Sequence, residues 1–319
     1  MAIGRNNTPF VLCGVLLSAA FMKALWVRAG RLVITLALLG AGIAHADETP
    51  AEAAAALRAR YAALQYQLAN NQFQKPLYME SSETSGSVSG NIFALMPFPF
   101  ETSRAALSGA ERWCDILMLH INTKYCRAAA ERNGTFLHVK IGRKNDQPVE
   151  DTYPIDFAYR VAGSARDYLK VTLAAPHGPL STFDYRVTLE ATATENGATL
   201  IHYTYSYSYG FAGRLAMQAY LGTIGSDKVG FTIAGRQANG HPLHIGGVRG
   251  VVERNTMRYY LAIEAYLGAM SEPLHARLEK SLLNWFTAIE RYPRQLHEME
   301  QKEYLDMKRR ENRRLSSVR

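Results

Sequence analysis

The sequence predicts an α+β domain in which a curved antiparallel sheet wraps around one long helix, with extra helices at both ends. Three observations carry this prediction. Apolar and polar residues alternate in short runs, as in Phe183, Tyr185, Val187 and Leu189 against Asp184, Arg186, Thr188 and Glu190. That period marks a strand with one covered face and one wet face. Turn clusters at Asn133-Gly134, Lys144-Asn145-Asp146 and Glu195-Asn196-Gly197 divide the runs, and such short connections imply an antiparallel meander. Beyond the last run, Val252 to Leu267 is amphipathic, with Met257, Tyr260, Leu261, Ile263 and Leu267 near one side to cover the sheet's apolar face.

The chain opens with an export signal. From Met22 to Ala46 there is a basic front of Lys23, Arg28 and Arg31, an apolar run from Leu32 to Ile43, and Ala44-His45-Ala46 as a cleavage site. The run is shorter than the roughly 20 apolar residues needed to cross a bilayer, and Asp47, Glu48 and Pro50 then turn the chain polar. Residues 1–46 therefore read as a cleavable signal peptide with Met22 as its natural start, and the mature protein is expected in the periplasm. The rival reading of the earlier patch, Phe10 to Phe21, is a short uncleaved membrane helix.

The next elements follow from period and punctuation. Leu57, Tyr61, Leu64 and Leu68 recur at three and four, giving a helix over 51–73 that Lys75-Pro76 ends. Ile92 to Met96 is a strand closed by Pro97-Phe98-Pro99, and a second helix starts at Glu101 or Thr102, is interrupted at Ser108-Gly109 and runs on through Trp113. Strands are then expected at Ile116 to Ile121, Thr135 to Ile141, Ile155 to Val161, Tyr168 to Leu173, Thr182 to Ala193 and Ala198 to Tyr209. After the long helix come Leu274 to Arg291 and a charged stretch, Arg294 to Arg314, expected to be solvated rather than core. No fixed-period repeat is present. One domain of roughly 220 residues with helical extensions accounts for the whole: a helix over 47–76, the main domain over 77–269 and a helical extension over 270–319.

Charge and cysteines narrow the function. The net charge of +8 falls to +4 once residues 1–46 are removed, and residues 291–319 hold that whole excess with nine basic and five acidic side chains. The main domain is balanced, so its charge gives no reason to expect nucleic acid as a partner. Cys114 and Cys126 are the two cysteines beyond the signal segment. In an oxidising compartment they invite a disulfide contributing on the order of 3 kcal/mol, provided the chain doubles back between them. Two buried thiols are the alternative.

One strand with Phe93 and Leu95, a helical pair ending at Arg112-Trp113-Cys114, a meander and a long helix over its concave side resemble the helix-grip fold of the START and polyketide-cyclase-like superfamily. The similarity covers residues 77–269 and rests on this order and on the opening unit from Gly90 to Leu117. What the resemblance implies is a deep cavity between sheet and helix for an apolar ligand: a lipid, a sterol-like molecule or a polyketide.

Tyr203, Tyr205, Tyr207 and Tyr209 share one face of a predicted strand, and His202, Thr204, Ser206 and Ser208 the other. A tyrosine row can line a semi-polar cavity, giving a ligand both packing and hydrogen bonds; it can equally fill a core, since tyrosine favours strands. Phe157, Tyr159, Phe183 and Tyr185 extend that surface, and Tyr260 faces it from the long helix. His120, His138 and His202 fall on predicted strands, but nothing in their spacing makes them converge on a metal. Gly86-Ser87-Val88-Ser89-Gly90 has valine where a nucleophile elbow needs serine, and Gly246-Gly247-Val248-Arg249-Gly250 lacks the dinucleotide spacing.

No cofactor is implied. The reading that follows is a periplasmic binding or carrier protein for an apolar or amphipathic, lipid-like molecule. A cyclase- or hydrolase-type enzyme using His202 or Tyr203 as acid or base is the second reading. An envelope assembly protein acting through its helical tail is the third. Lys308, Arg309, Arg310, Arg313 and Arg314 would offer that tail contact with anionic headgroups, each charge adding about 1 kcal/mol at such a surface.

Overall fold

A computed structural model describes residues 48–222 and 227–316; the export signal expected over 1–46 lies outside them. Helices α1 (Pro50–Ala63) and α2 (Gln65–Ala69) lead into strands β1 (Leu77–Glu83) and β2 (Ser87–Pro99). Helices α3 (Phe100–Leu107) and α4 (Ala110–Leu119) follow. The meander is β3 (Thr123–Glu131), β4 (Gly134–Ile141), β5 (Tyr153–Ala165), β6 (Tyr168–His177), β7 (Thr182–Ala193) and β8 (Ala198–Tyr209). Helix α5 (Phe211–Leu221) and the small hairpin of β9 (Ile233–Arg236) and β10 (Pro242–His244) precede the long helix α6 (Gly247–Leu267). Helices α7 (Leu274–Ile289), α8 (Pro293–Leu296) and α9 (Gln301–Ser316) close the chain.

The main sheet has eight strands in the order β1-β2-β8-β7-β6-β5-β4-β3, and every neighbouring pair is antiparallel. Because β2 pairs with β8, the first and last long strands lie side by side and the sheet curls around α6. This is a helix-grip arrangement. Gly90 on β2 marks the close approach, since a Cβ there would strike the Thr256 side chain on α6.

The covered face is apolar as expected: Tyr203, Tyr205, Tyr207 and Tyr209 are all buried, whereas His202, Thr204, Ser206 and Ser208 on the opposite face are half-buried. That opposite face is drier than the alternation implied. Leu57, Leu64 and Leu68 from α1, α2 and the residue joining them pack there on Phe93 and Leu200, and Ala53 and Ala54 pack on Tyr168. Thr49 caps α1 reciprocally, its hydroxyl accepting from the Glu52 N–H while the Glu52 carboxylate accepts from the Thr49 N–H.

Two expectations are corrected, and two edge strands appear that had none. Ile116 to Ile121 is not a strand: its first four residues end α4, and the edge strand is β3. A short buried apolar run has no period to separate helix from strand, and Lys124 to Glu131, with three consecutive alanines, advertises no strand. The edge strand β1 carried no expectation either, because its second half, Glu80 to Glu83, is wholly polar. Finally, Arg294 to Arg314 is not a solvated tail. Tyr304, Met307, Lys308 and Glu311 on α9 are buried, and Tyr304 stacks on Trp285 of α7 with ring centroids 4.9 Å apart while its hydroxyl donates to the Leu119 carbonyl. Four of the five charges assigned to headgroups are engaged within the protein: Lys308 and Arg309 pair with Glu311 and Glu279, and Arg310 and Arg314 both pair with Asp146, while Arg313 is exposed.

Candidate functional site: a cavity between sheet and helix

The concave face and α6 do not close on each other completely. A cavity of about 340 Å³ remains, walled by Val139, Ile155, Phe157, Leu173 and Val187 from the strands and by Val251, Arg254, Asn255, Arg258 and Tyr259 from α6. The α6 residues recur at three and four, so they form one stripe. Leu180, before β7, and Met217, on α5, also line it; Leu180 is 59% exposed, so this end reaches the surface.

An aromatic cluster forms the middle of the wall. Tyr185 stacks on Tyr207 at 5.3 Å and meets Phe157 edge-on at 6.4 Å, and Tyr205 lies 5.5 Å from Tyr259. Burial pushes the Tyr205 and Tyr259 hydroxyls up from the ordinary phenol range, helped by neighbouring tyrosines. These rings are neutral, amphipathic walls at any physiological pH.

Of the residues expected to line a pocket, Phe157, Tyr185, Tyr205 and Tyr207 do so. Tyr203 is buried in the core without reaching the cavity. Tyr209 donates to Glu83 at 3.2 Å near the end of β8. The Tyr159 hydroxyl is buried away from the cavity without a hydrogen-bond partner among the described residues, and burial drives it up to about 12. Tyr260 lies off the lining stripe of α6: its ring meets the Lys75 ammonium at 5.6 Å and its hydroxyl donates to Glu264 at 3.4 Å. Phe183 is 42% exposed. A register irregularity between Phe183 and Arg186, with Asp184 at φ 52°, breaks the alternation that had put Phe183 beside Tyr185.

The three histidines do not converge. His138 bonds Asp156 and Glu131, and His202 bonds Glu190 and Asn91 on the outer face; only His120 of the three lines the cavity. Among the described residues, no group of three or more His, Cys, Asp or Glu side chains is placed to hold a metal. Neither His202 nor Tyr203, the residues expected as acid or base, lines this cavity.

One end of the cavity is polar, and the tyrosine row gives no sign of it. His120, Asn122, Thr123 and Lys144 gather there with Arg258. A disulfide between Cys114 on α4 and Cys126 on β3 ties together the two elements flanking His120. The Asn122 N–H donates to His120 Nδ1 at 3.1 Å, so a neutral imidazole carries its proton on Nε2. Burial, then the charges of Arg258, Lys308, Lys124 and Lys144, holds His120 well below its ordinary range, hence neutral. Five cations, Lys124, Lys144, Lys228, Arg258 and Lys308, share two carboxylates, Glu298 and Glu311, in this region. Burial alone would raise Glu298, but Arg258, Lys144 and Lys228 bring it below its ordinary value. A signal for this end existed in the sequence: Arg254 and Arg258 stand on the same helical stripe as Val251 and Tyr259.

No protein-family model matches the chain, and no curated protein matches it. Among solved structures, norcoclaurine synthase from Thalictrum flavum is similar at 13% identity and a TM-score of 0.31, over 46% of this chain and 91% of that one. The protein described as Ara h 8.0201 is similar at 11% identity and a TM-score of 0.32, over 60% and 99%. Human StAR-related lipid transfer protein 5 is similar at 8% identity and a TM-score of 0.30, over 54% and 89%. At such scores these likenesses carry no argument. The class rests on the strand order and on α6: the chain has a helix-grip fold, an antiparallel sheet curled around one long helix.

Proposed function

We propose that the protein is a periplasmic binding or carrier protein for an apolar or amphipathic small molecule held between the sheet and α6. The observation that carries this reading is the cavity of about 340 Å³ with Phe157, Tyr185, Tyr205 and Tyr207 on its wall. Close-packed interiors leave few voids larger than a water molecule, and this volume lies in the range of ligand sites. Burying a chain or ring system against such walls would contribute about 25 cal/mol for each Å² removed from water. The periplasmic assignment is supported by the signal-like segment of 22–46 and by the paired cysteines.

Mass spectrometry of organic extracts from protein purified without detergent tests this reading. One recurrent lipid-like species, displaced by a naphthylamine fluorophore whose emission rises on binding, is the expected result. Protein that is always empty and leaves the fluorophore unbound overturns it.

A further inference from the structure

Arg254 is 2% exposed and lines the cavity, yet it pairs with no carboxylate among the described residues; its one hydrogen bond is from Nη1 to the Val229 carbonyl at 3.3 Å. Burying a guanidinium without a counter-charge costs several kcal/mol, so a folded protein keeps one for a reason. His120, 3% exposed on the same cavity, adds an idle polar group: its Nε2 is buried without a partner among the described residues. With Nδ1 accepting from the Asn122 N–H, that atom is a donor. The Thr123 hydroxyl, from another residue lining the cavity, is also buried and without a partner among the described residues. Arg258, one turn along α6 from Arg254, is already engaged by Glu298 at 2.6 Å. The cavity thus presents an unbalanced positive charge and idle donors within otherwise apolar walls.

We propose that the ligand is an amphiphile with one anionic head, a carboxylate or a phosphate monoester, whose charge is met by Arg254 and which takes a hydrogen bond from His120 Nε2. This rests on the carrier reading and specifies it. An anion restores charge balance on this face of α6 and fills the donors, while its apolar part lies along Phe157, Val187 and Tyr205. A cationic amphiphile would add to the charge excess, and a neutral alcohol would leave the guanidinium uncompensated.

Titration calorimetry with dodecanoate, dodecyl phosphate, dodecanol and dodecyltrimethylammonium, each below its micelle threshold, tests it. At least one anion is expected to bind about tenfold or more tighter than the alcohol, and which of the two does so identifies the head. Arg254→Met should reduce that preference to about twofold or less, with dodecanol affinity kept, and Arg254→Lys should retain most of it. His120→Phe, which keeps a ring on Tyr259, should weaken the anion by about fivefold. Ligand-free Arg254→Met should melt no lower than the parent, because an unpaired buried charge is gone; this separates loss of recognition from loss of fold. Equal affinity for anion and alcohol, or a preference that survives in Arg254→Met, overturns the inference and leaves the carrier reading standing. Failure of all four amphiphiles to bind overturns both.

Discussion

Lys308 Nζ donates to the His120 carbonyl oxygen at 2.7 Å, so the last helix of the chain directly braces a residue of the cavity wall. The same amine donates to the Thr123 carbonyl at 2.8 Å and pairs with Glu311, which also accepts from Lys124. All three charged side chains are 1% exposed.

Glu311→Gln strands two ammonium groups in the core and is expected to cost about 3 kcal/mol or more near neutral pH. Burial first, with Lys124 adding repulsion, pushes the Lys308 ammonium down to about 8 from an ordinary 10.5, in spite of Glu311. Between those two values the unfolded chain holds the proton and the folded one sheds it, so stability from this group rises with pH across that window. Without Glu311 the folded Lys308 loses its proton at lower pH, so this rise begins earlier. Urea midpoints at about pH 7 and about pH 9 should therefore show the variant's deficit shrinking on the alkaline side; a constant deficit refutes the coupling.

Glu190 gives the opposite sign on the outer face. Burial would raise its carboxyl, but hydrogen bonds from His202 and Tyr168 and the charge of Lys170 bring it down to about 2 from 4.5. Its contribution, on the order of 2 kcal/mol, is present above about pH 4.5 and lost as pH falls toward 2. Glu190→Gln should be less stable than the parent at neutral pH and should approach it near pH 2.5, by urea unfolding; parallel acid profiles contradict the assignment.

Val187 lines the cavity with 4% exposure. Val187→Phe adds a ring to open space, so the melting temperature should hold while apolar-probe affinity drops about tenfold or more. In a filled core the same change overpacks and costs about 1–3 kcal/mol. Thermal melts and a fluorophore titration on one sample separate the two.

Removing residues from Arg294 onward strips α9 from Trp285 and Leu119. The truncated chain should lose its cooperative unfolding transition and its probe binding together. A detachable interaction tail predicts intact binding instead. Tyr304→Ala, expected to cost about 3–5 kcal/mol, gives the same answer in a milder form by calorimetry.

Much of the fold was legible because the strands that carry it obey one local rule. The ends of β7 and β8 coincide with the alternating runs Thr182 to Ala193 and Ala198 to Tyr209, where a glycine turn separates strands with one fully buried face. Phe183 shows where that rule stops. A non-glycine residue at positive φ, Asp184, shifts one position of the strand and leaves no mark in residue type. The end of α4 was misread because burial on all sides erases the helical period in Ile116 to Leu119. The polar end of the site was missed for a related reason. The stretch holding Lys308 and Glu311 was read as solvent-facing and Arg254 and Lys124 carried no reading, yet all four are buried, Lys124, Lys308 and Glu311 by contacts distant in sequence. Only the spacing of Tyr304, Met307, Lys308 and Glu311 hinted that α9 has an inward side.

The bracing of His120 by Lys308 also fixes an order of events. Synthesis delivers α9 after every other described element, so the chamber's charged end is finished only once that helix has left the ribosome. The proposed ligand would consequently meet its charged contacts only after α9 has docked, not while the strands are still emerging.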